Sequence, residues 1–261
     1  MSLSLSLEGK RALICGASAG IGRATALQLA EQGAHCILLA RRADRLDSLK
    51  REIEAKGGSA EVLVGDLDKR DATVASVQAK LAEGAIQILI NNAGGPKGGP
   101  ILNAAEDEFT TAFGRHVLAA HRLTQTLIEG MKSSGYGRII NIISTSVYEP
   151  IPNLGVSNTI RGAMASWAKT VSKELPPGIT INNVLPGFTD TERLSQLKKG
   201  RATKNNISED TVHQQWLSQV PEGRLAQPEE TAGAIGFLVS PAAAYIRGLS
   251  LPVDGGRLKG I

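Results

Sequence analysis

The sequence predicts a doubly wound α/β domain, built on a seven-stranded parallel sheet with helices on both faces. Three observations carry this expectation. Short apolar runs alternate with longer helical patterns along the whole chain. The runs are continuously apolar rather than alternating, as strands buried on both faces must be. The first run, Leu13 to Cys15, enters a turn containing Gly16, Gly20 and Gly22, and a helical pattern begins at once.

Taken in order, Arg11 to Cys15 reads as the first strand and Gly20 to Gln32 as a helix ended by Gly33. Cys36 to Ala40 is the second strand. A charged amphipathic helix, Asp44 to Lys56, stops at Gly57 and Gly58. Ala60 to Val64 is the third strand, Lys69 to Leu81 a helix, and Ile86 to Ile90 the fourth strand. Asp107 to Met131 reads as one long helical region, followed by a fifth strand, Arg138 to Ile143. Gly155 to Glu174 is a helix closed by Pro176, Pro177 and Gly178. Ile179 to Val184 is the sixth strand, Pro228 to Val239 a helix and Leu249 to Val253 the last strand. The 261 residues fit one domain spanning 1–261, with neither internal repeat nor low-complexity linker.

One long segment interrupts the alternation. Residues 189–227 follow the sixth strand, where ligands bind in open α/β sheets. They carry Lys198, Lys199, Arg201 and Lys204, then an amphipathic piece around Val212 to Trp216. They read as a substrate lid or as a solvated insertion, polar and basic, with little to form a core of its own.

Composition narrows the function. A net charge of +4 permits an anionic ligand without indicating a nucleic-acid partner. Cys15 and Cys36 sit inside apolar runs and read as reduced, buried thiols. His35, His116, His121 and His213 lack metal-ligand spacing, so no metal is expected. No apolar run reaches membrane-spanning length and the first ten residues do not read as a signal peptide, so a cytoplasmic chain with no membrane partner is expected.

The glycine turn suits a nucleotide. Glycine allows a ligand to approach the backbone closely, and the helix after it points unpaired N–H groups at the turn. The end of the second strand then sets the cofactor. An acid there would accept both ribose hydroxyls of NAD and repel a 2′-phosphate. This chain has Ala40 followed by Arg41 and Arg42, and a guanidinium can pair with phosphate, which favours NADP.

The chain resembles the short-chain dehydrogenase/reductase family, and is nearest in pattern to its 3-oxoacyl-[acyl-carrier-protein] reductase-like branch. The resemblance covers almost the whole chain. It rests on Gly16-x-x-x-Gly20-x-Gly22, Asp66, Asn91-Asn92-Ala93-Gly94, Asn141-Ile142-Ile143-Ser144, Pro186-Gly187 and Val253-Asp254-Gly255-Gly256. It implies a single Rossmann-type domain, assembled as a homotetramer or dimer. It also implies NADP contacts from Gly16, Ser18, Gly20, Ile21 and Gly22 in the first turn, and from Asp66 and Leu67 after the third strand. Asn92, Ala93 and Gly94, then Pro186, Gly187 and Thr189, would complete the cofactor half. Cys15 stands where the family commonly has Thr, which puts one strand-tethering hydrogen bond in question.

The catalytic half departs from the family's Asn, Ser, Tyr and Lys. Ser144 is in place, but gapless alignment puts Ser157 at the Tyr position, Arg161 at the Lys position and His116 at the Asn position. A serine hydroxyl is a far weaker acid than a phenol, and a guanidinium keeps its charge but does not release a proton near neutral pH. Arg161 can still hold the nicotinamide ribose. A proton could come from Tyr148, which follows Ser144 closely, from His116, or from a water ordered by Ser157. The resemblance therefore implies an NADP-dependent oxidoreductase acting on a small or acyl-carrier-bound carbonyl substrate. A dinucleotide-binding sensor or scaffold with little turnover is the alternative.

Overall fold

The computed structural model describes residues 4–260. Seven parallel strands form one sheet: β1 (Arg11–Cys15), β2 (His35–Ala40), β3 (Ser59–Val64), β4 (Ile88–Asn91), β5 (Gly137–Ile142), β6 (Ile179–Pro186) and β7 (Ser250–Val253). Their order is β3-β2-β1-β4-β5-β6-β7. The winding reverses between β1 and β4, and that reversal opens a crevice at the C-terminal ends of the strands.

Successive strand residues point to opposite faces, so each strand feeds two cores. Ala12, Ile14, Cys36 and Leu38 pack with one group of helical side chains, among them Leu29, Leu46, Ile53 and Ile235. Those side chains belong to α1 (Gly20–Glu31), α2 (Ala43–Ala55) and α9 (Pro228–Val239). Leu13, Cys15, Ile37 and Leu39 face the other way, toward Val74, Val77, Leu123, Leu127 and Ala168. These come from α3 (Arg70–Lys80), α5 (Ala119–Ser133) and α6 (Gly155–Glu174). Both cysteines are free, and burial pushes each thiol up to about 12, so neither forms a thiolate at neutral pH.

A polar ladder crosses this apolar sheet. Asn91 donates to Asn141 at 2.9 Å, Asn141 to Asn183 at 2.9 Å, and Asn183 to the Ser250 hydroxyl at 3.0 Å. The four residues are direct partners in adjacent strands. Each buried amide thus has a partner, and the register just below the crevice is fixed.

Two expectations are corrected. The helical region read as continuous from Asp107 to Met131 is α4 (Glu106–Phe113), a π-helical turn over Gly114–Leu118, then α5. Gly114 lacks the Cβ that would strike Arg70 Nη1 at 2.5 Å, and the widened turn carries His116 into the interior. The segment 189–227 does have a small core. It forms α7 (Glu192–Asn205) and α8 (Glu209–Leu217), where Ala202, Val212 and Trp216 are buried with Phe188, Leu194, Leu197 and Ile207 around them. Phe188 stacks on Trp216 at 5.3 Å. Thr191 and Ser208 cap the two helices by accepting from Leu194 N–H and Thr211 N–H.

Candidate active site

The crevice begins at the turn between β1 and α1. Gly16 and Gly20 have φ of +65° and +53°, open to glycine with little strain. Gly22 is constrained by space instead: a Cβ there would drive into the Gly16 carbonyl and lie 2.6 Å from Asn92 Nδ2. The cap position of α1 is Ala19, with no side-chain cap and no acid in the first turn. Its leading N–H groups are left for an anion. Ile21 accepts the Thr25 hydroxyl at 2.7 Å within the helix.

Around this turn the predicted cofactor residues fall on one rim. Asn92 donates to the Gly16 carbonyl at 3.4 Å, and its backbone lies against the Cys15 sulfur. The Asp66 carboxylate accepts from Asp68 N–H at 3.1 Å rather than capping α3, whose cap position is Lys69. Gly94 has open space where a Cβ would stand, whereas one on Gly187 would meet Asp254 Cα at 2.8 Å. Pro186 ends β6 and Thr189 is buried just beyond.

The two arginines after β2 differ. Arg42 donates to the Ser18 hydroxyl at 3.0 Å and lies 3.7 Å from Glu192, which also pairs with Arg45 at 2.6 Å. Arg41 is exposed and has no ion pair among the described residues. Thr191 lies over the turn, 3.2 Å from where a Gly20 Cβ would stand. Residues 189–227 are therefore docked on the rim of the glycine turn through the start of α7.

Deeper in, Leu67, Asn92, Ala93, His116, Ile142 and Arg161 line one cavity. Arg161 donates through Nη1 to the Ile142 carbonyl at 2.9 Å and is 9% exposed. Burial and the nearby Arg193 guanidinium push its pKa down to about 10, which still leaves it charged at pH 7. Ser157 lies one turn earlier on α6, half-buried, its hydroxyl without a protein partner among the described residues. Ser144 caps a short 3₁₀ turn and accepts from Ser146 N–H at 3.1 Å, so its own O–H is free to donate.

His116 and Tyr148 are placed differently from what a proton donor needs. His116 is buried and its Nε2 has no partner. Burial, then the Arg161 and Arg115 charges, hold its pKa well below the ordinary 6.5, against a smaller opposing pull from the Gly94 backbone. The imidazole is neutral at pH 7. Tyr148 is 55% exposed and gives its hydroxyl hydrogen to the Ser250 carbonyl at 3.3 Å.

The neutral His116 has a consequence for stability. Its folded pKa lies below the unfolded value near 6.5. The unfolded chain therefore binds the proton first as pH falls, and the contribution present above pH ~6.5 is lost on acidification. We expect stability to decline between about pH 6.5 and 5, and His116→Gln to flatten that decline. Urea unfolding of both proteins at half-unit pH steps checks this; parallel slopes would contradict it.

Two further arginines stand at the site, of which only Arg115, next to His116, is marked out by the sequence. Arg115 pairs with Asp68 through contacts of 2.8 and 2.5 Å, closing one side of the cavity. Arg193, on the first turn of α7, donates to the Pro96 carbonyl at 2.6 Å. Three of the four basic residues that stand out in the sequence are engaged elsewhere: Lys198 lies 3.8 Å from Glu209, while Arg201 and Lys204 bond to Gln215 and Asn153.

A family model described as enoyl-(acyl carrier protein) reductase matches residues 16–257. The chain belongs to the short-chain dehydrogenase/reductase family. It is 34% identical over 260 residues to the NADPH-dependent reductase BacG of Bacillus subtilis, covering 98% of this chain and 100% of that protein. It is 34% identical to the 3-oxoacyl-[acyl-carrier-protein] reductase FabG of Vibrio harveyi, covering 97% and 98%. Among solved structures, L-sorbose reductase of Gluconobacter frateurii, complexed with NADPH and L-sorbose, superposes with a TM-score of 0.92 at 31% identity, covering 99% and 100%.

Proposed function

We propose that the chain is an NADP-dependent carbonyl reductase, similar to 3-oxoacyl reductases, that interconverts a ketone and a secondary alcohol. The observation that carries this is the pairing of an uncapped α1 behind a glycine turn with an acid-free, arginine-bearing end of β2. The named activities of BacG, FabG and L-sorbose reductase support turnover over a sensor role. Screening ketones for NADPH oxidation, beside a direct cofactor titration, tests the reading.

Gly16, Ser18, Gly20, Ile21 and Gly22 would hold the pyrophosphate, with Asp66 and Leu67 at the adenine. Asn92, Ala93, Gly94, Pro186, Gly187 and Thr189 would line the nicotinamide side. Bound NADPH supplies the hydride. Ser144 donates its free O–H to the substrate oxygen and steadies the charge that develops there. Arg161, anchored through Nη1, has other N–H groups unused, one of which would reach the ribose, and it adds positive charge. Of the three proton sources, a water ordered by Ser157 is favoured. Tyr148 already spends its hydrogen on Ser250, and His116 carries no extra proton to give.

Cofactor choice is assigned chiefly to Arg41, because Arg42 is shared with Ser18 and Glu192. A charge-assisted contact is worth roughly 1.5–3 kcal/mol, less for an exposed arginine. NADP(H) should bind at least several-fold tighter than NAD(H), and Arg41→Ala should remove much of the difference. Fluorescence titration with both cofactors measures this; equal affinities in the unaltered protein would end the assignment.

Residues 189–227 act as the lid. Exposed ion pairs such as Arg45–Glu192 are weak because solvent screens them, so they dock the lid without locking it. Hydrogen exchange over 197–216 should be faster than in β4–β6 and should slow when NADP(H) and substrate are added. Strong, ligand-independent protection there would contradict a lid. A cytoplasmic homotetramer or dimer is the assembly in keeping with the family, and no helix among the described residues is long and apolar enough to cross a membrane.

A further inference from the structure

Two arginines meet at the mouth of the cavity with nothing negative between them. Arg161 rises from α6, and Arg193 reaches across from the first turn of α7. A Cβ on Gly95 would lie 3.8 Å from Nη2 of each. Each is anchored by one N–H on a backbone carbonyl, Arg161 on Ile142 and Arg193 on Pro96. Those bonds fix the direction of both forks and leave other N–H groups unused, since guanidinium has five donors.

Neither has a carboxylate partner among the described residues. The shifts of both point the same way: Arg161 is lowered by burial and by Arg193, and Arg193 by burial. The other charged residues packed nearby do not relieve this. Arg115 is committed to Asp68, and Glu192 to Arg45 and Arg42. His116 is neutral and lies among positive groups. Holding like charges together with no counter-ion is costly in the free protein, and an anion entering the cleft would reverse that cost.

The position of the pair says which anion. The glycine turn and the free N–H groups of α1 already serve the pyrophosphate, and Arg41 with Arg42 stands at the end of β2. Arg193 lies on the lid, beside the strand-end loop that begins with Asn92, Ala93 and Gly94, and next to the cavity that contains Arg161. We propose that Arg161 Nη2 and Arg193 form a carboxylate clamp, and that the substrate is a keto acid whose carboxylate is held there while its ketone faces Ser144. The open space left by Gly95 is what admits the carboxylate between the two forks. In the reduction the ketone carbon gains a hydride from NADPH and its oxygen gains one proton, giving a hydroxy acid and NADP⁺. The carboxylate is unchanged and serves only to hold the substrate. Arg193 is then a specificity residue that also couples lid docking to substrate charge. This inference rests on the carbonyl-reductase reading.

The test compares 3-oxobutanoate, 4-oxopentanoate and 5-oxohexanoate with their methyl esters, which keep the ketone and remove the charge. For at least one pair the acid should have a kcat/KM about tenfold or more above its ester. Arg193→Gln should bring that ratio toward one, mainly through KM for the acid, with the NADPH dissociation constant changed by less than twofold. Arg193→Lys should restore part of the ratio. Calorimetric binding of 4-hydroxypentanoate to the NADP⁺-loaded protein gives a reading independent of turnover, and Arg193→Gln should weaken it about tenfold. Acid and ester reduced equally well would overturn the clamp while leaving the reductase reading intact. So would a loss of NADPH affinity in Arg193→Gln as large as the loss for the acid, because the pair would then serve the cofactor. Failure of every ketone, with hydroxy-acid binding still dependent on Arg193, would count against the reductase reading and for the clamp.

Discussion

Gly22→Ala should abolish measurable NADP(H) binding and destabilise the protein by roughly 1–3 kcal/mol, the usual range for forcing an extra carbon into a packed site. The added Cβ would press on the Gly16 carbonyl and on the Asn92 amide, which itself bonds to that carbonyl. Relief needs a shift of backbone, because the carbonyl belongs to the turn and Asn92 is held by the end of β4. Any such shift moves the leading N–H groups of α1 from where a phosphate must find them. Gly200→Ala is the matched control. Gly200 lies inside α7 with nothing within 4 Å of its Cβ position, so alanine there should be neutral or stabilise by up to ~1 kcal/mol. Cofactor titration and thermal unfolding of both variants check the contrast. Normal NADP(H) affinity in Gly22→Ala would remove the glycine turn from the site.

Exchanging Ser157→Tyr together with Arg161→Lys should raise ketone turnover at least tenfold. A positioned proton donor is worth roughly 10²–10⁴-fold, and Ser157 is too weak an acid to supply that itself. A phenol on the first turn of α6, four residues before an ammonium, brings donor and tuning charge onto one helix face. The lysine would leave the Ile142 carbonyl with one fewer fixed donor, so part of the gain is offset. The single exchange Ser157→Tyr separates the two effects by steady-state kinetics. Turnover that drops in both variants would mean that the serine–arginine pair is a finished solution and not a weakened form of the family's site.

How far the sequence foretold this molecule differs by element. Ile179 to Val184 could hardly be anything but a buried strand, and Gly155 to Glu174 has a proline-glycine stop that marks its end. The glycine turn and the missing acid after Ala40 carry their chemistry in residue type alone. His116 in a π-helical turn could not be read, because one extra residue per turn barely disturbs a hydrophobic period. Nor could the small core of Phe188, Ala202, Val212 and Trp216, whose members come from three separate pieces of chain. The asparagine ladder depends on strand register, which no single strand contains. Arg193 was hidden among other basic residues, and only the fold shows that it turns toward Arg161 while Lys198, Arg201 and Lys204 turn elsewhere.

The central claim is that this site moves a hydride to a ketone without the family's tyrosine. The direct measurement is transfer of deuterium from NADPH carrying deuterium at both C4 positions to a ketone, read by mass spectrometry of the alcohol. One deuterium is expected on the carbinol carbon for each NADPH consumed, at a rate that Ser144→Ala lowers at least tenfold. NADPH that binds tightly, yet passes no label to any ketone or keto acid offered, would contradict it.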